Sequence, residues 1–182
     1  MCDAQELYLS DNKIGDPGIA ALARALGTGA LAQLSYLALD GNQIGDLTAL
    51  ATECVSGALA SLQTLSLSRN LIGDVGTTAL ADILAADPTR WTLPSLLYLR
   101  LDQNAIGDAG ISSLADALGT GALRTLLTLW VDSGPLGKDH PKLTAVCGKY
   151  GIERIGMMST GRMDIMGGIG DINLLLEDPD SE

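Results

Sequence analysis

The decapeptide pattern L-x-L-x-x-N-x-I-G-D is written four times in this chain. It reads LYLSDNKIGD from Leu7, LALDGNQIGD from Leu37, LSLSRNLIGD from Leu65 and LRLDQNAIGD from Leu99. A degraded fifth copy, LWVDSGPLGK, starts at Leu129. A unit this short has an apolar face that it cannot bury alone, so it must stack on its neighbours. The motif Asn positions are Asn12, Asn42, Asn70 and Asn104, with Gly134 in the fifth copy, at intervals of 30, 28, 34 and 30 residues. From the second copy onward a further Leu precedes each motif: Leu34, Leu62, Leu96 and Leu126.

Alternating leucines within each motif are the period-two sign of a strand with one face inward. After each I-G-D the spacing becomes helical, with Ile19, Leu22, Ala23 and Leu26 on one face, and Ile111, Leu114, Ala115 and Leu118 on another. Gly27 and Gly119 follow the last apolar positions, where a left-handed residue closes a helix. Repeated strand–crossover–strand units give a parallel sheet with helices on the other side. Strands pack about 4.8 Å apart and helices about 8–10 Å apart, so the stack bends with the strands inside. The expected fold is an α/β right-handed solenoid, a horseshoe arc with a concave parallel sheet and convex helices.

The interruptions set the expected organisation. Residues 1–156 read as the solenoid, about five repeats, with a C-terminal capping unit over 135–156. In that unit His140-Pro141 opens a last helix and Gly151–Ile155 is a final short strand. The segment Asp87–Ser95 enlarges one connection and brings in Arg90 and Trp91. Residues 157–182 lack the repeat and are expected to be an acidic, disordered tail. The repeat is already in progress at Met1, which raises the expectation of a fragment of a longer protein.

Charge narrows the partners. The chain has 182 residues and a net charge of -11, and residues 160–182 hold six acids (Asp164, Asp171, Glu177, Asp178, Asp180, Glu182) against one base, Arg162. Nucleic acid and anionic membrane both need a basic footprint, so a basic protein surface is the better match. Cys2, Cys54 and Cys147 are odd in number and lack paired spacing, which argues against a disulfide framework or a zinc site. With no signal peptide and no apolar run of membrane length, a reducing, cytoplasmic location is expected.

At this point the four motif copies resemble the ribonuclease-inhibitor-like class of leucine-rich repeats, whose units run to about 28–29 residues. The resemblance covers residues 4–155. It implies protein–protein recognition, the use made of such repeats by the ribonuclease inhibitor, the Ran GTPase-activating protein and receptor sensor regions. Regulation of a small GTPase is the alternative it suggests, by fold analogy alone.

Most motif residues have a structural reading. Asn12, Asn42, Asn70 and Asn104 suit a ladder of inward amides that satisfies turn backbone groups. Asp16, Asp46, Asp74 and Asp108 suit helix N-caps. A calcium loop at Asp40 or Asp102 fails because its twelfth position would be Ala51 or Ser113 rather than Glu. Gly167-Gly168-Ile169-Gly170 lacks the Lys and spacing of a phosphate loop. His140, the only histidine, has no arguable nucleophile beside it. No cofactor, metal or catalytic residue is therefore expected. The residues free for a partner are outward strand positions: Tyr8, Tyr36, Asp40, Tyr98, Arg100, Asp102, Trp130 and Asp132. Aromatics, carboxylates and an Arg together have the composition of binding hot spots. The expected function is a non-enzymatic scaffold that binds a protein on its concave face.

Overall fold

The computed structural model describes residues 4–86, 93–132, 140–157 and 163–166. Strands and helices alternate along the chain: β1 (Glu6–Tyr8), α1 (Asp16–Gly27), β2 (Tyr36–Ala38), α2 (Thr48–Ser56), β3 (Thr64–Ser66) and α3 (Asp74–Ala86). They continue as β4 (Tyr98–Arg100), α4 (Asp108–Gly119), β5 (Thr128–Trp130), α5 (Pro141–Tyr150), β6 (Glu153–Met157) and β7 (Met163–Met166). The strands form one sheet in chain order. From β1 to β6 every pair is parallel.

The register follows the motif. Leu7, Leu37, Leu65, Leu99 and Leu129 lie side by side across five strands, and Arg154 takes the sixth place. The second motif leucines and the motif isoleucines join this row: Leu39, Leu67 and Leu101 with Ile44, Ile72 and Ile106 are all buried. The helices close the core from their side with Ile19, Ala23 and Leu26 of α1 and Ile111, Leu114, Ala115 and Leu118 of α4. Burying one such aliphatic side chain is worth about 1.5–3 kcal/mol, so the leucine rows hold the stack together.

The turn after each strand repeats too. Asp11, Gly41, Arg69 and Gln103, each just before the motif Asn, all have φ between 54° and 63°. Only one of the four is glycine, so the other three bear a left-handed cost of about 1–2 kcal/mol each. The Asn side chains offset it. Asn42 Nδ2 donates to the Leu9 and Leu39 carbonyls, both at 2.9 Å, and its Oδ1 accepts the Asn12 and Ile14 amides at 3.1 and 2.8 Å. Asn70 bonds the Leu39 and Leu67 carbonyls and the Ile44 amide. Asn104 does the same with Leu67, Leu101 and Ile72. Each of these three amides therefore links its own turn to the preceding repeat. Asn12, in the first repeat, is exposed and its side-chain Nδ2 donates to the Ser10 carbonyl of its own turn.

Two expectations are corrected. The left-handed residues after α1 and α4 are Gly29 and Gly121, two positions beyond Gly27 and Gly119, which remain helical. The intervening Thr28 and Thr120 hydroxyls donate to the Ala25 and Ala117 carbonyls, each at 2.7 Å, and prolong the helix end. The motif aspartates do not cap their own helices in general, because Gly15 and Gly107 occupy the N-cap positions. Asp16 Oδ1 instead accepts the Gly45 and Asp46 amides of the next repeat at 2.7 and 2.9 Å. Asp74 Oδ1 accepts the Gly107 and Gly110 amides at 2.7 and 2.9 Å. Only Asp46 serves its own helix, accepting the Thr48 amide at 2.8 Å.

At the C-terminal end the expected helix and short strand are α5 and β6. Beyond them, within the stretch expected to be a tail, residues 163–166 form β7, antiparallel to β6. Arg90, Trp91 and Gly134-Pro135 lie outside the described residues.

Candidate functional site

Because a strand turns alternate residues to opposite faces, the residues flanking each core leucine stand on the open face of the sheet. Pairing places Glu6, Tyr36, Thr64, Tyr98, Thr128 and Glu153 in one column and Tyr8, Ala38, Ser66, Arg100 and Trp130 in the next. The strand face thus brings together all five aromatic and Arg positions expected to meet a partner.

The aromatics form two pairs. Tyr8 and Tyr36 have ring centroids 5.2 Å apart, and Tyr98 and Trp130 are 6.2 Å apart. Both distances fall in the range of favourable tilted ring contacts. The Arg100 guanidinium lies 5.7 Å from the Trp130 ring centroid, a cation–π arrangement that fixes both side chains. Between the pairs the face drops to small side chains, Ala38 and Ser66, which are buried. Tyr8 is 64% exposed and Tyr98 37%, so substantial ring surface is open to a ligand. The Tyr8 hydroxyl donates to Glu6 Oε2 at 2.8 Å, and this bond is the main cause of its raised pKa. Burial chiefly raises the pKa of Tyr36, with the Asp40 charge adding to the effect and Arg100 opposing it.

The acidic positions are placed differently. Asp40 Oδ1 accepts the Ser66 hydroxyl at 2.6 Å and the Ser68 amide at 3.0 Å, while Oδ2 faces the Ser10 hydroxyl at 3.4 Å. Asp102 Oδ1 accepts the Ser68 hydroxyl at 2.6 Å and lies 3.5 Å from Arg100 Nε. Its side chain is 1% exposed. Asp132 Oδ2 accepts the Gln103 amide at 2.6 Å. These carboxylates are engaged within the sheet face, where they tie neighbouring turns and strands together, and Asp102 alone of the three pairs in charge with Arg100, whose Nε makes no hydrogen bond. Ser10, Ser66 and Ser68 are outward positions in the sequence too, but their role as hydroxyl partners of these carboxylates is not read from it. The signal was available: the third outward column alternates Ser10, Asp40, Ser68, Asp102.

Among the described residues no group of three or more His, Cys, Asp or Glu side chains is arranged to hold a metal ion. Cys54 and Cys147 are free, buried thiols. Burial pushes Cys54 from an ordinary 9.0 up to about 12 and raises Cys147 as well, opposite to the shift of an activated nucleophile. Among the described residues no helix is long and apolar enough to cross a membrane.

An open α/β solenoid, with strands on one side and helices on the other, is the class these features define. Three segments, residues 5–23, 58–81 and 92–115, match the Leucine Rich repeat family. The chain is a leucine-rich-repeat protein. Among solved structures it is similar to an internalin from Listeria monocytogenes str. 4b F2365, at 24% identity and a TM-score of 0.48. That match covers 82% of this chain and 33% of the internalin, so the chain spans about a third of that protein's length. No curated protein matches the chain significantly.

Proposed function

We propose that this protein is a non-catalytic scaffold that recognises a partner protein on its strand face, with Tyr8, Tyr36, Tyr98, Arg100 and Trp130 as the contact residues. Leucine-rich repeats generally act in protein–protein interaction, and the detail rests on one observation. Two aromatic pairs, each with one exposed ring (Tyr8 and Tyr98) beside a half-buried one (Tyr36 and Trp130), and a guanidinium over Trp130 share one face. Rigid aromatic and Arg anchors of this kind carry most of the energy in protein interfaces. Asp40, Asp102 and Asp132 belong to the site as its support: Asp40 and Asp102 hold the serine row, Asp132 holds the turn at Gln103, and Asp102 places a buried negative charge beside Arg100. Their commitment to internal bonds favours a partner that buries apolar surface against the rings over one chosen for basic charge alone.

The strand–helix unit length favours the ribonuclease-inhibitor-like subclass, and the separate buried thiols favour a reducing, cytoplasmic setting. No observation favours GTPase regulation. The test is affinity capture with wild type and with the double variant Tyr98→Ala plus Trp130→Ala. The double variant is expected to lose specific partners at least about tenfold, the effect of removing one hot spot of roughly 1.4 kcal/mol or more. Unchanged recovery removes the strand face from the account.

A further inference from the structure

Arg100 is the one basic side chain in the face columns of β1 to β6, because the register sets Arg154 in the core row beside Leu129. A guanidinium offers N–H donors on three nitrogens and accepts nothing. Among the described residues none of those donors is spent in a hydrogen bond, and two other contacts hold the group. Nε lies 3.5 Å from Asp102 Oδ1, and the guanidinium stands 5.7 Å from the Trp130 ring centroid. Nε is shut off from solvent without a hydrogen-bond partner, whereas the side chain as a whole is 35% exposed. The polar part of that exposure is the outer edge formed by the two Nη atoms.

Asp102 lends this cation its charge and no hydrogen bond. Its Oδ1 takes the Ser68 hydroxyl at 2.6 Å, its Oδ2 is buried with no partner, and the residue is 1% exposed. Rings surround the guanidinium on the face above. Trp130 lies against it, Tyr98 stands 6.2 Å from Trp130, and the Arg100 charge reaches the Tyr36 hydroxyl, where it opposes the rise in that group's pKa. The only positive charge in these columns is therefore set among aromatic surface with its donor edge turned outward.

A partner that covers Tyr98 and Trp130 covers Arg100 as well. Stripping water from unspent guanidinium donors is costly unless the partner brings acceptors in its place. The Trp130 ring supplies none in the guanidinium plane, and Asp102 sits below, on the Nε side. A neutral carbonyl offers one oxygen to an edge that carries several donors. A carboxylate offers two in one plane, at the spacing of the guanidinium fork, and makes the stronger charge-assisted bonds.

We propose that Arg100 is a specificity-determining residue of the strand face, taking the side-chain carboxylate of an Asp or Glu set in an apolar segment of the partner. This rests on the reading of that face as the binding surface, and adds the chemistry that the partner brings to it. The chain's net charge of -11 repels an acidic ligand at a distance, so recognition depends on contact at Arg100 rather than on long-range steering.

The probe is a set of dodecapeptides selected on phage against the immobilised full chain, then synthesised with both ends capped so that side chains carry the only carboxylates. Wild type is expected to select peptides that place Asp or Glu among apolar residues. Replacing that acid with its amide is expected to weaken binding about tenfold, read by fluorescence anisotropy. Arg100→Gln is expected to weaken the acidic peptide by a similar factor and to bind acid and amide forms equally, the coupling of a direct contact. Should Arg100→Gln fail to fold over the buried Asp102, Arg100→Lys serves in its place. It keeps the charge and loses the fork, and is expected to weaken the acidic peptide about threefold while leaving the amide form unchanged. Peptides that bind equally as acid or amide, yet need Tyr98 and Trp130, overturn the role of Arg100 and leave the strand face standing. Peptides indifferent to Tyr98→Ala plus Trp130→Ala, or a selection that yields none, overturn the reading of the face and this proposal with it.

Discussion

At the residue scale the motif Asn carries more than any other single position. Asn70 is buried and satisfies two carbonyls and one amide drawn from two repeats. Replacing it with Ala strands those groups away from water, at about 1–3 kcal/mol for a buried orphan. Asn70→Ala is expected to lower stability by about 2–4 kcal/mol in urea unfolding, and Asn12→Ala by no more than about 0.5 kcal/mol. Equal losses would show that the amides do not act between repeats. Gly76 makes a second demand. A Cβ there would overlap the Gly45 carbonyl oxygen of the preceding repeat, a rigid backbone atom that cannot step aside. Gly76→Ala is expected to cost about 1–3 kcal/mol, the range of core overpacking, measured in the same way. Recurrence made the Asn ladder legible in the sequence. It misled for the aspartates, since a carboxylate at the start of a helix reads as a cap, whereas Asp16 and Asp74 reach the neighbouring repeat instead. Sequence order does not show which amide lies closest.

At the element scale, helix faces were legible from their spacing, and helix ends were less so. The Gly-Thr-Gly runs at 27–29 and 119–121 offer two glycines, and only the second adopts the left-handed turn. The threonine hydroxyl bond to the helix keeps the first one helical. In the second repeat Leu47 and Thr48 follow the motif where Pro17-Gly18, Val75-Gly76 and Ala109-Gly110 stand elsewhere. Leu47 is fully buried and is itself the N-cap of α2, which starts later, with the Thr48 amide held by Asp46 just before it. The Thr48 hydrogen bonds hold the Asp46 carboxyl below its usual range. Cys54 on α2 gives this element a pH signature. Its folded pKa, about 12, lies above the ordinary 9.0 because burial disfavours the thiolate. The unfolded chain therefore releases the proton first. The stabilisation is complete below about pH 9 and declines as pH rises toward 12. Urea midpoints are expected to fall more steeply over that window for wild type than for Cys54→Ala. Parallel curves would mean that the thiol is not held in the core.

At the scale of the whole molecule, the period of the repeat dictated a parallel stack, and the register of β1 to β5 is the one that aligns the motif copies. The pairing of β7 with β6 was not legible, because residues 163–166 carry no motif and no alternation tied to the leucine rows. The face available to a partner was legible as a set of outward positions, and its aromatic and Arg members do lie together. The division of labour within that face was not legible. Asp102 and Arg100 alternate along one strand as though both met solvent, yet the carboxylate is buried beneath the guanidinium. Nothing in a repeating frame encodes a partner, because the frame answers to its neighbouring repeats. The claim that this face does the binding is tested most directly by site-specific photocrosslinking. A photoreactive residue is placed at Tyr98 on the strand face or at Asp82, exposed on α3. Specific partner adducts from position 98 and none from position 82 are predicted, and adducts from 82 alone would contradict the account.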